Sequence, residues 1–325
     1  MSERIMATDW DNASGFVSLE SLEQVEIQIV SWCNRECSFC PSGTFPTPKV
    51  RMSLETVDRI ITELEKIGFS RTIGLHLMCE PLLHNKLPEI IRMFRSRLPR
   101  TFIRLESNGD PLNKMERLGH LFDCGLNEIL INCYDSAEQW MIRSQKIAAL
   151  RPDGGAIWFW NQCQRFPVTE KHEWRVVRLR AFYEGGFSLK NWAGLVPSAS
   201  SDSLQFPLQL SCNRPGSRLH VNYRGEVLVC NMDWKFEVIA GDFHRMGIAE
   251  LLNAPILRQY RTRLAVKDRD MPLCRACDSG AETGAQPGYP PVDRWVGIRA
   301  RWLDWERSWM AQSIKKRLRG MMGHR

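Results

Sequence analysis

The sequence has no hydrophobic run long enough to span a membrane, and its polar N-terminus lacks the apolar stretch of a signal peptide. It also has little net charge outside its C-terminal end. Of the formal charge of +7 over 325 residues, residues 293–325 carry +6, with nine basic and three acidic residues. The nearly neutral remainder excludes a nucleic-acid-binding surface spread over the whole chain. We therefore expect a cytoplasmic protein that does not bind nucleic acid.

Cysteine, by contrast, is abundant, with eleven residues. A reducing cytoplasm leaves thiols available for metals and catalysis instead of disulfides. Seven of the cysteines form groups, namely Cys33, Cys37 and Cys40 (C-x3-C-x2-C), Cys212 and Cys230, and Cys274 and Cys277. The other four stand alone: Cys79, Cys124, Cys133 and Cys163. The grouped spacing indicates two metal sites.

Six segments rich in β-branched and apolar residues begin near residues 25, 73, 102, 128, 156 and 176, and helical patterns lie between several of them. The clearest helix begins after Ser53, a good N-cap residue, and stops at Gly68. Strands that alternate with helices predict an α/β fold with right-handed βα units and a parallel sheet. We expect this sheet to curl into a partial (β/α)6 barrel.

Changes in composition divide the chain into four regions. Residues 1–21 form an N-terminal extension, residues 22–200 the partial barrel, residues 205–285 a small hairpin-plus-helix domain, and residues 286–325 a basic, Trp-rich tail helix. In the tail, tryptophans recur at helical spacing beside basic residues. This pattern fits a helix packed on the barrel, and it also fits peripheral contact with an anionic membrane surface.

Cys33, Cys37 and Cys40 directly follow the first predicted strand. Their thiolates can surround one metal centre, because the intervening loop is short enough to wrap it. A structural zinc and a fully protein-bound 4Fe-4S cluster each take four protein ligands, so a group of three leaves one metal position for another molecule. The alternative is a zinc site completed by a distant ligand such as His76 or His84.

This triplet, with Phe39 before its last cysteine, resembles the cluster motif of radical S-adenosylmethionine (radical SAM) enzymes. Later, Met78-Cys79-Glu80-Pro81 resembles the G-G-E-P segment of that family, and Glu106-Ser107-Asn108-Gly109 resembles its T-N-G turn. The resemblance implies a 4Fe-4S cluster on the three cysteines, with S-adenosylmethionine at the open iron and near Phe39, Glu80, Ser107 and Asn108. It also implies reductive cleavage of S-adenosylmethionine, with electrons from a reducing partner such as flavodoxin or ferredoxin.

Cys212 and Cys230 flank a predicted hairpin that brings their thiols together, and Cys274 and Cys277 can close the site. Four thiolates complete a coordination shell, either of a structural zinc or of a cluster with no open position. The spacing C-x12-G-x4-C followed by C-x2-C resembles the shortened twitch form of the SPASM domain, which implies one auxiliary 4Fe-4S cluster. It is most similar to radical dehydrogenases that oxidise an aminocyclitol alcohol, in which the auxiliary cluster accepts the second electron.

The resemblance predicts hydrogen-atom abstraction from a small hydroxylated substrate, sugar or aminocyclitol-like, followed by dehydrogenation or epimerisation. Oxidation also needs a base for the hydroxyl proton. Trp192 stands where many relatives have an arginine, and Arg178 or Arg180 could take the role of that base.

Epimerisation instead needs a thiol that returns a hydrogen atom to the substrate. Cys79, Cys133 and Cys163 each follow the end of a predicted strand, at the rim where barrels of this kind assemble active sites. They are therefore candidate hydrogen donors. Each of them could also be an ordinary packed cysteine.

Two other functional classes stay open. The alternative enzyme function is radical modification of a ribosomally made peptide, although about 20 residues before the first strand leave no room for a leader-binding domain. A non-enzymatic electron carrier or a zinc-stapled binding module is the other, but it leaves Glu80, Ser107 and Asn108 without a role.

Overall fold

The computed structural model describes residues 10–11, 14–45, 47–112, 116–149, 158–161, 175–181, 190–196 and 205–279. Its strands are β1 (Trp10–Asp11), β2 (Phe16–Val17), β3 (Gln24–Ile27), β4 (Thr72–Gly74), β5 (Phe102–Ser107), β6 (Glu128–Cys133), β7 (Trp158–Asn161), β8 (Val176–Ala181), β9 (Arg218–Val221), β10 (Glu226–Leu228) and β11 (Ile239–Asp242). Its helices are α1 (Pro41–Thr44), α2 (Leu54–Lys66), α3 (Leu87–Arg97), α4 (Glu116–Asp123), α5 (Ala137–Ala149), α6 (Arg214–Ser217), α7 (Ile248–Leu252) and α8 (Pro255–Ala265).

Nine of the strands form one sheet in the order β11-β10-β9-β3-β4-β5-β6-β8-β7. Every neighbouring pair from β9 to β7 is parallel, whereas β10 pairs antiparallel with both β9 and β11. The six predicted barrel strands are therefore present, and the α/β fold with a curled parallel sheet is confirmed.

The strand order differs from the simplest barrel at one edge, because β8 lies between β6 and β7. Hydrophobic periodicity identifies strands but does not encode which strands are neighbours, so the sequence could not have revealed this exchange. At the other edge the predicted hairpin, β9 and β10, continues the sheet through parallel pairing of β9 with β3. The second cysteine group is thereby fixed directly to the barrel sheet.

The sheet has one apolar face covered by helices. Along β3, β4 (with Leu75 directly after it), β5, β6, β8 and β9, alternate residues join the main core: Val25 and Ile27, Ile73 and Leu75, Ile103 and Leu105, Ile129 and Ile131, Val177 and Leu179, and Leu219 and Val221. Helix α2 contributes Val57, Ile60, Ile61 and Leu64 to the same core, and α3 contributes Ile90, Ile91 and Phe94. The intervening residues of each strand point to the opposite, concave face of the sheet.

Helix α2 begins and ends as the sequence predicts. The Ser53 hydroxyl accepts a hydrogen bond from the Thr56 backbone N–H at 3.1 Å, which caps the first turn. The chain leaves the helix through Gly68, which has a φ of +60°. This helix packs against the outer face of the sheet and so holds the strands that carry the site.

Within the part of the chain that the structure describes, no helix is both long and apolar enough to cross a membrane. The predicted tail, residues 286–325, and Cys163 lie outside the described residues.

Candidate active site

The first cysteine group lies in the loop between β3 and α1. Cys40 caps α1 in an extended conformation, and its backbone N–H donates to the Cys37 carbonyl at 3.1 Å. Burial raises the pKa of the Cys33 and Cys37 thiols and raises that of Cys40 to about 12, to which the proximity of Cys33 and Cys37 contributes. Three thiolates so close together need a cationic centre to offset their repulsion, and an iron cluster supplies one. The donor set therefore fits a cluster.

Glu80 lies beside this loop with 2% of its surface exposed. Its carboxylate accepts hydrogen bonds from the Ser107 hydroxyl at 2.7 Å, the Asn108 backbone N–H at 2.7 Å and the Leu82 backbone N–H at 3.1 Å. Burial outweighs these bonds and raises the pKa of Glu80 to about 7. Glu80, Ser107 and Asn108, which the sequence predicts to act together, are thus in direct contact.

Asn108 connects these residues to the cysteine loop. Its side-chain amide donates to Asn34 Oδ1 at 2.8 Å and lies 3.5 Å from Cys33 Sγ. Phe39, another predicted cofactor contact, packs its ring 5.6 Å from that of Tyr134, beyond β6. The loop after β3 and the ends of β4, β5 and β6 therefore converge at one edge of the sheet.

The segment before Glu80 compensates for the glycines that it lacks. Met78 adopts a φ of +50°, in the left-handed region that glycine normally occupies. Its carbonyl lies 3.4 Å from Gln28 Nε2, and its side chain is buried beside Leu77 and Trp234. The backbone path of a glycine turn is thus kept with a methionine, and tertiary packing holds the strained residue in place.

The concave face of the sheet carries polar side chains on successive strands. They are Gln24, Glu26 and Gln28, His76, Arg104 and Glu106, Glu128 and Asn132, Arg178 and Arg180, and His220 and Asn222. Glu128 lies 3.5 Å from Arg104 Nε and 3.4 Å from Arg178 Nη1, so ion pairs cross between neighbouring strands. Among these residues the sequence predicted a substrate-side role only for Arg178 and Arg180. His76 was considered only as a zinc ligand, and Glu106 only as the residue before the Ser107–Asn108 turn. The signal was present, since polar residues alternate with apolar ones in strands such as 24–28 and 176–181.

His76 and Glu106 lie on neighbouring strand ends of this face, with His76 Nε2 3.9 Å from Glu106 Oε1. Burial lowers the pKa of His76, which keeps its imidazole neutral at pH 7. Burial alone would raise the pKa of Glu106, but Arg104, His76 and Arg180 together lower it to about 2. The Glu106 side chain is 30% exposed although it lies on a central strand. It is therefore in contact with solvent on the concave face.

The second cysteine group lines a small cavity shared by Cys212, Cys230, Cys274 and Cys277. Burial raises the pKa of Cys230 to about 11, and that of Cys274 and Cys277 also rises. Arg214 and Arg269 line the same cavity, where their positive charge favours a negatively charged thiolate centre. Arg269 is anchored by the carbonyl groups of Leu210 and Ser279, both at 2.8 Å.

Neither group of thiols is arranged for a single ion. In the described residues, no set of three or more His, Cys, Asp or Glu side chains is placed to hold one metal ion. All seven cysteines of the two groups offer thiolate sulfur, the ligand type of iron–sulfur clusters. His84, a suggested fourth zinc ligand, instead hydrogen-bonds the Met52 carbonyl at 3.1 Å.

The remaining predicted residues are distributed over both faces of the sheet. Cys133 is fully buried on the helix-covered face, near Arg143 Nη1 at 3.8 Å, so its thiol does not reach the concave face. Cys79 is half-buried beside Glu80, and Arg178 and Arg180 lie on the concave face. Cys124 belongs to the core.

Trp192, which stands where many relatives have an arginine, does not point a basic group at the concave face. Its indole N–H donates to the Phe39 carbonyl at 3.1 Å, and its ring meets Trp234 edge to face at 5.7 Å. The preceding Asn191 donates to the Ala276 carbonyl at 2.7 Å, next to Cys277. This short segment therefore joins the two cysteine sites.

Comparisons with known proteins agree with this geometry. The radical SAM superfamily matches residues 27–145, and the iron–sulfur cluster-binding SPASM domain matches residues 212–278. The S-adenosyl-L-methionine-dependent 2-deoxy-scyllo-inosamine dehydrogenase of Niallia circulans is 22% identical over 271 residues, which span 82% of this chain and 96% of that protein.

Two solved structures of BtrN share the fold at 21% identity. The complex with AdoMet and 2-DOIA has a TM-score of 0.64 and covers 81% of this chain and 94% of its own. The open conformation has a TM-score of 0.54, with coverage of 79% and 92%. The cofactors implied by the two matched domains are S-adenosylmethionine, a 4Fe-4S cluster and an auxiliary iron–sulfur cluster. Residues 27–145 therefore form a radical SAM domain, and residues 212–278 form a SPASM-type iron–sulfur domain after it.

Proposed function

We propose that this chain is a radical SAM oxidoreductase that dehydrogenates a carbinol of a small, polyhydroxylated substrate, sugar or aminocyclitol-like. The observation that carries the proposal is the polar concave face of the sheet, where His76 Nε2 lies 3.9 Å from Glu106 Oε1 and Glu106 directly precedes Ser107 and Asn108. Such a face offers hydrogen-bond partners for several hydroxyl groups. The dehydrogenase from Niallia circulans, whose name specifies an aminocyclitol substrate, supports the same class.

Cys33, Cys37 and Cys40 would hold the cluster that binds S-adenosylmethionine, and Cys212, Cys230, Cys274 and Cys277 the auxiliary cluster. Phe39, Glu80, Ser107 and Asn108 would contact S-adenosylmethionine, with the Glu80 carboxylate facing its amino group. When bound, these cofactors supply a radical that takes a hydrogen atom from the carbinol carbon and an iron–sulfur acceptor for one electron. The protein's own task is then to bind the substrate and to accept the hydroxyl proton.

His76 Nε2 is the best placed proton acceptor. The imidazole is neutral at pH 7 because burial lowers its pKa, and the protonated ring would face the Glu106 carboxylate at 3.9 Å. Arg178 and Arg180 were the candidates from sequence, but a guanidinium has no free lone pair to accept a proton. We assign both arginines to hydrogen-bonding the substrate hydroxyl groups, a role for which their place on the concave face suits them.

Dehydrogenation is favoured over epimerisation by the placement of the thiols. Cys133 is buried behind the sheet, whereas the half-buried Cys79 keeps the role of candidate hydrogen donor. An auxiliary site with four thiolates leaves no iron vacant for substrate, which suits an electron acceptor.

Two partner assignments and a location belong to this proposal. A flavodoxin or ferredoxin would deliver the electron, with the loop around Cys37, where Glu36 and Ser38 are exposed, as the point of entry. Residues 286–325 would make peripheral contact with an anionic membrane surface through their basic and tryptophan residues. A cytoplasmic location is the third part of the proposal, because a reducing compartment keeps the seven proposed ligand cysteines free of disulfides.

The test is anaerobic turnover with 2-deoxy-scyllo-inosamine and related cyclitols and sugars, each deuterated at one carbinol carbon. The proposal predicts deuterium in the deoxyadenosine product and one ketone per deoxyadenosine. An epimerase would instead return a solvent hydrogen to the substrate and form no ketone. Absence of deuterium transfer from every compound tested would contradict a small hydroxylated substrate.

A further inference from the structure

Arg35 lies inside the first cysteine loop, between Cys33 and Cys37, yet its side chain is only 19% exposed. Its guanidinium group makes two bidentate contacts. Nε and Nη2 donate to the Asp110 carboxylate at 2.5 and 2.8 Å, and Nη1 and Nη2 donate to the Asp135 carboxylate at 2.6 and 2.9 Å. One arginine in the loop is thereby attached to the chain just after β5 and just after β6.

The two carboxylates are fixed from the barrel side. Arg143 on α5 donates to Asp110 Oδ1 at 2.9 Å and to the Asn108 carbonyl at 2.8 Å. The backbone N–H of Asp110 donates to Asn108 Oδ1 at 2.9 Å, so Asp110 is held close to the residue that contacts Cys33. The Gln139 side chain contacts Asp135. Two arginines and two aspartates thus form a balanced network around the loop.

Aromatic packing continues the same attachment. The Arg35 guanidinium lies 5.4 Å from the centroid of the Tyr134 ring, and Tyr134 packs against Phe39 at 5.6 Å. Phe39 immediately precedes Cys40. Arg35 therefore contacts, directly or through one ring, both ends of the segment that carries the three cysteines.

We propose that Arg35 is a positioning residue for the radical SAM cluster, which fixes the three-cysteine loop to the ends of β5 and β6 through Asp110 and Asp135. Isolated ion pairs at a surface stabilise little, but bidentate pairs joined in a network are the exception. A loop fixed in this way has its thiols aligned before iron binds. It also opens more slowly, so that bound iron is released more slowly. The inference rests on the proposed cysteine ligands and not on the identity of the substrate.

The two bidentate contacts of Arg35 depend on the planar guanidinium group and not on positive charge alone. Variants at this position can therefore separate the effect of shape from that of charge. Arg35→Lys keeps the positive charge but cannot pair with two carboxylates bidentately. Arg35→Gln removes the charge as well, and Asp135→Asn weakens one arm. Arg97→Gln is the matched control, because Arg97 also bridges two carboxylates, on Asp58 and Glu65, but on the outer helices α2 and α3.

The measurement is the rate at which the anaerobically reconstituted protein loses iron to a chelator, with iron and sulfide counted per chain. We expect two phases of about four irons each, one for each cluster. In Arg35→Lys and Arg35→Gln, iron should be released at least ~10-fold faster in one phase, while the rate of the other phase is unchanged. A 10-fold faster rate corresponds to a decrease of about 1.4 kcal/mol in the activation barrier for iron release. The Arg97→Gln protein should match the wild type.

Two further readouts separate positioning from general destabilisation. The melting temperature of the apo form should be the same for Arg35→Lys and Arg97→Gln, and Asp135→Asn should add no further loss of iron once Arg35 is Gln. The proposal is overturned if both Arg35 variants release iron at the wild-type rate, or if both phases accelerate equally. A wild-type chain that binds no iron would overturn the ligand assignment too, whereas normal iron release without dehydrogenation would count only against the proposed reaction.

Discussion

Glu80 illustrates, at the scale of single residues, how burial and hydrogen bonding compete at this site. Three donors surround its carboxylate, yet desolvation prevails and its pKa rises to about 7. An ammonium group placed beside it would restore full ionisation. The carboxylate is thus prepared for a cationic ligand and is costly to ionise without one.

We expect Glu80→Gln to weaken S-adenosylmethionine binding by roughly 10- to 100-fold, because a hydrogen bond to a charged group contributes about 1.5–3 kcal/mol. Wild-type affinity should increase as pH rises through about 7, where the carboxylate ionises, and the variant should lack that dependence. Anaerobic calorimetry measures both. Glu89→Gln on the exposed side of α3 is the control. Equal affinities for the wild type and Glu80→Gln would refute the assignment.

His76→Gln should abolish ketone formation while S-adenosylmethionine cleavage continues, because the proton acceptor is lost but the cysteine loop is untouched. In the wild type, burial lowers the pKa of His76 below its usual 6.5. The rate of dehydrogenation should therefore decrease only at pH values below 6.5, where the imidazole becomes protonated. Deoxyadenosine and ketone are quantified together across pH. If the His76→Gln enzyme still makes one ketone per deoxyadenosine, a residue other than His76 accepts the proton.

Individual elements show where local sequence determines structure and where it does not. The Ser53 cap and the stop of α2 at Gly68 agree with expectation, because capping and helical periodicity are local properties. The exchange of β7 and β8 depends on contacts between distant segments, and no local pattern records it. The motifs at Glu80 and at Ser107–Asn108 could be located, but the proton acceptor could not, because His76 acquires its role only through the neighbouring strand.

Strand β4 offers a test at this scale, since Gly74 leaves room for the His76 ring. A Cβ atom on Gly74 would lie 2.7 Å from His76 Cε1, so the ring must move. We expect Gly74→Ala to lower ketone formation at least ~10-fold with little change in cleavage of S-adenosylmethionine. Gly119→Ala on α4, where a methyl group meets nothing within 4 Å, is the control. Unchanged turnover in Gly74→Ala would show that the ring position does not matter.

The molecule as a whole joins its two cysteine sites through one short segment. Asn191 hydrogen-bonds the loop of Cys277, and Trp192 hydrogen-bonds the carbonyl that precedes Cys40. The hairpin of β9 and β10 attaches the second site to β3, the strand that leads into the first. Both sites are therefore held by the same sheet, which is what ordered transfer of a hydrogen atom and then an electron requires.

Trp192→Phe keeps the aromatic packing but removes the hydrogen bond to Phe39, at a cost of about 1 kcal/mol. We expect the number of deoxyadenosines formed per ketone to rise above one, because the sites lose their fixed relation, while the melting temperature changes by only a few degrees. Trp140→Phe on α5 is the control, because the indole N–H of Trp140 has no hydrogen-bond partner in the described structure. A ratio that stays at one would show that the hydrogen bond of Trp192 is dispensable.

The most direct test of the central claim is electron paramagnetic resonance of the reduced, reconstituted protein, before and after adding S-adenosylmethionine. The account predicts about eight irons per chain and two cluster signals, of which only the one lost in Cys33→Ala shifts with S-adenosylmethionine, accompanied by formation of deoxyadenosine. Bound zinc in place of iron and sulfide, or signals that S-adenosylmethionine leaves unchanged, would contradict it.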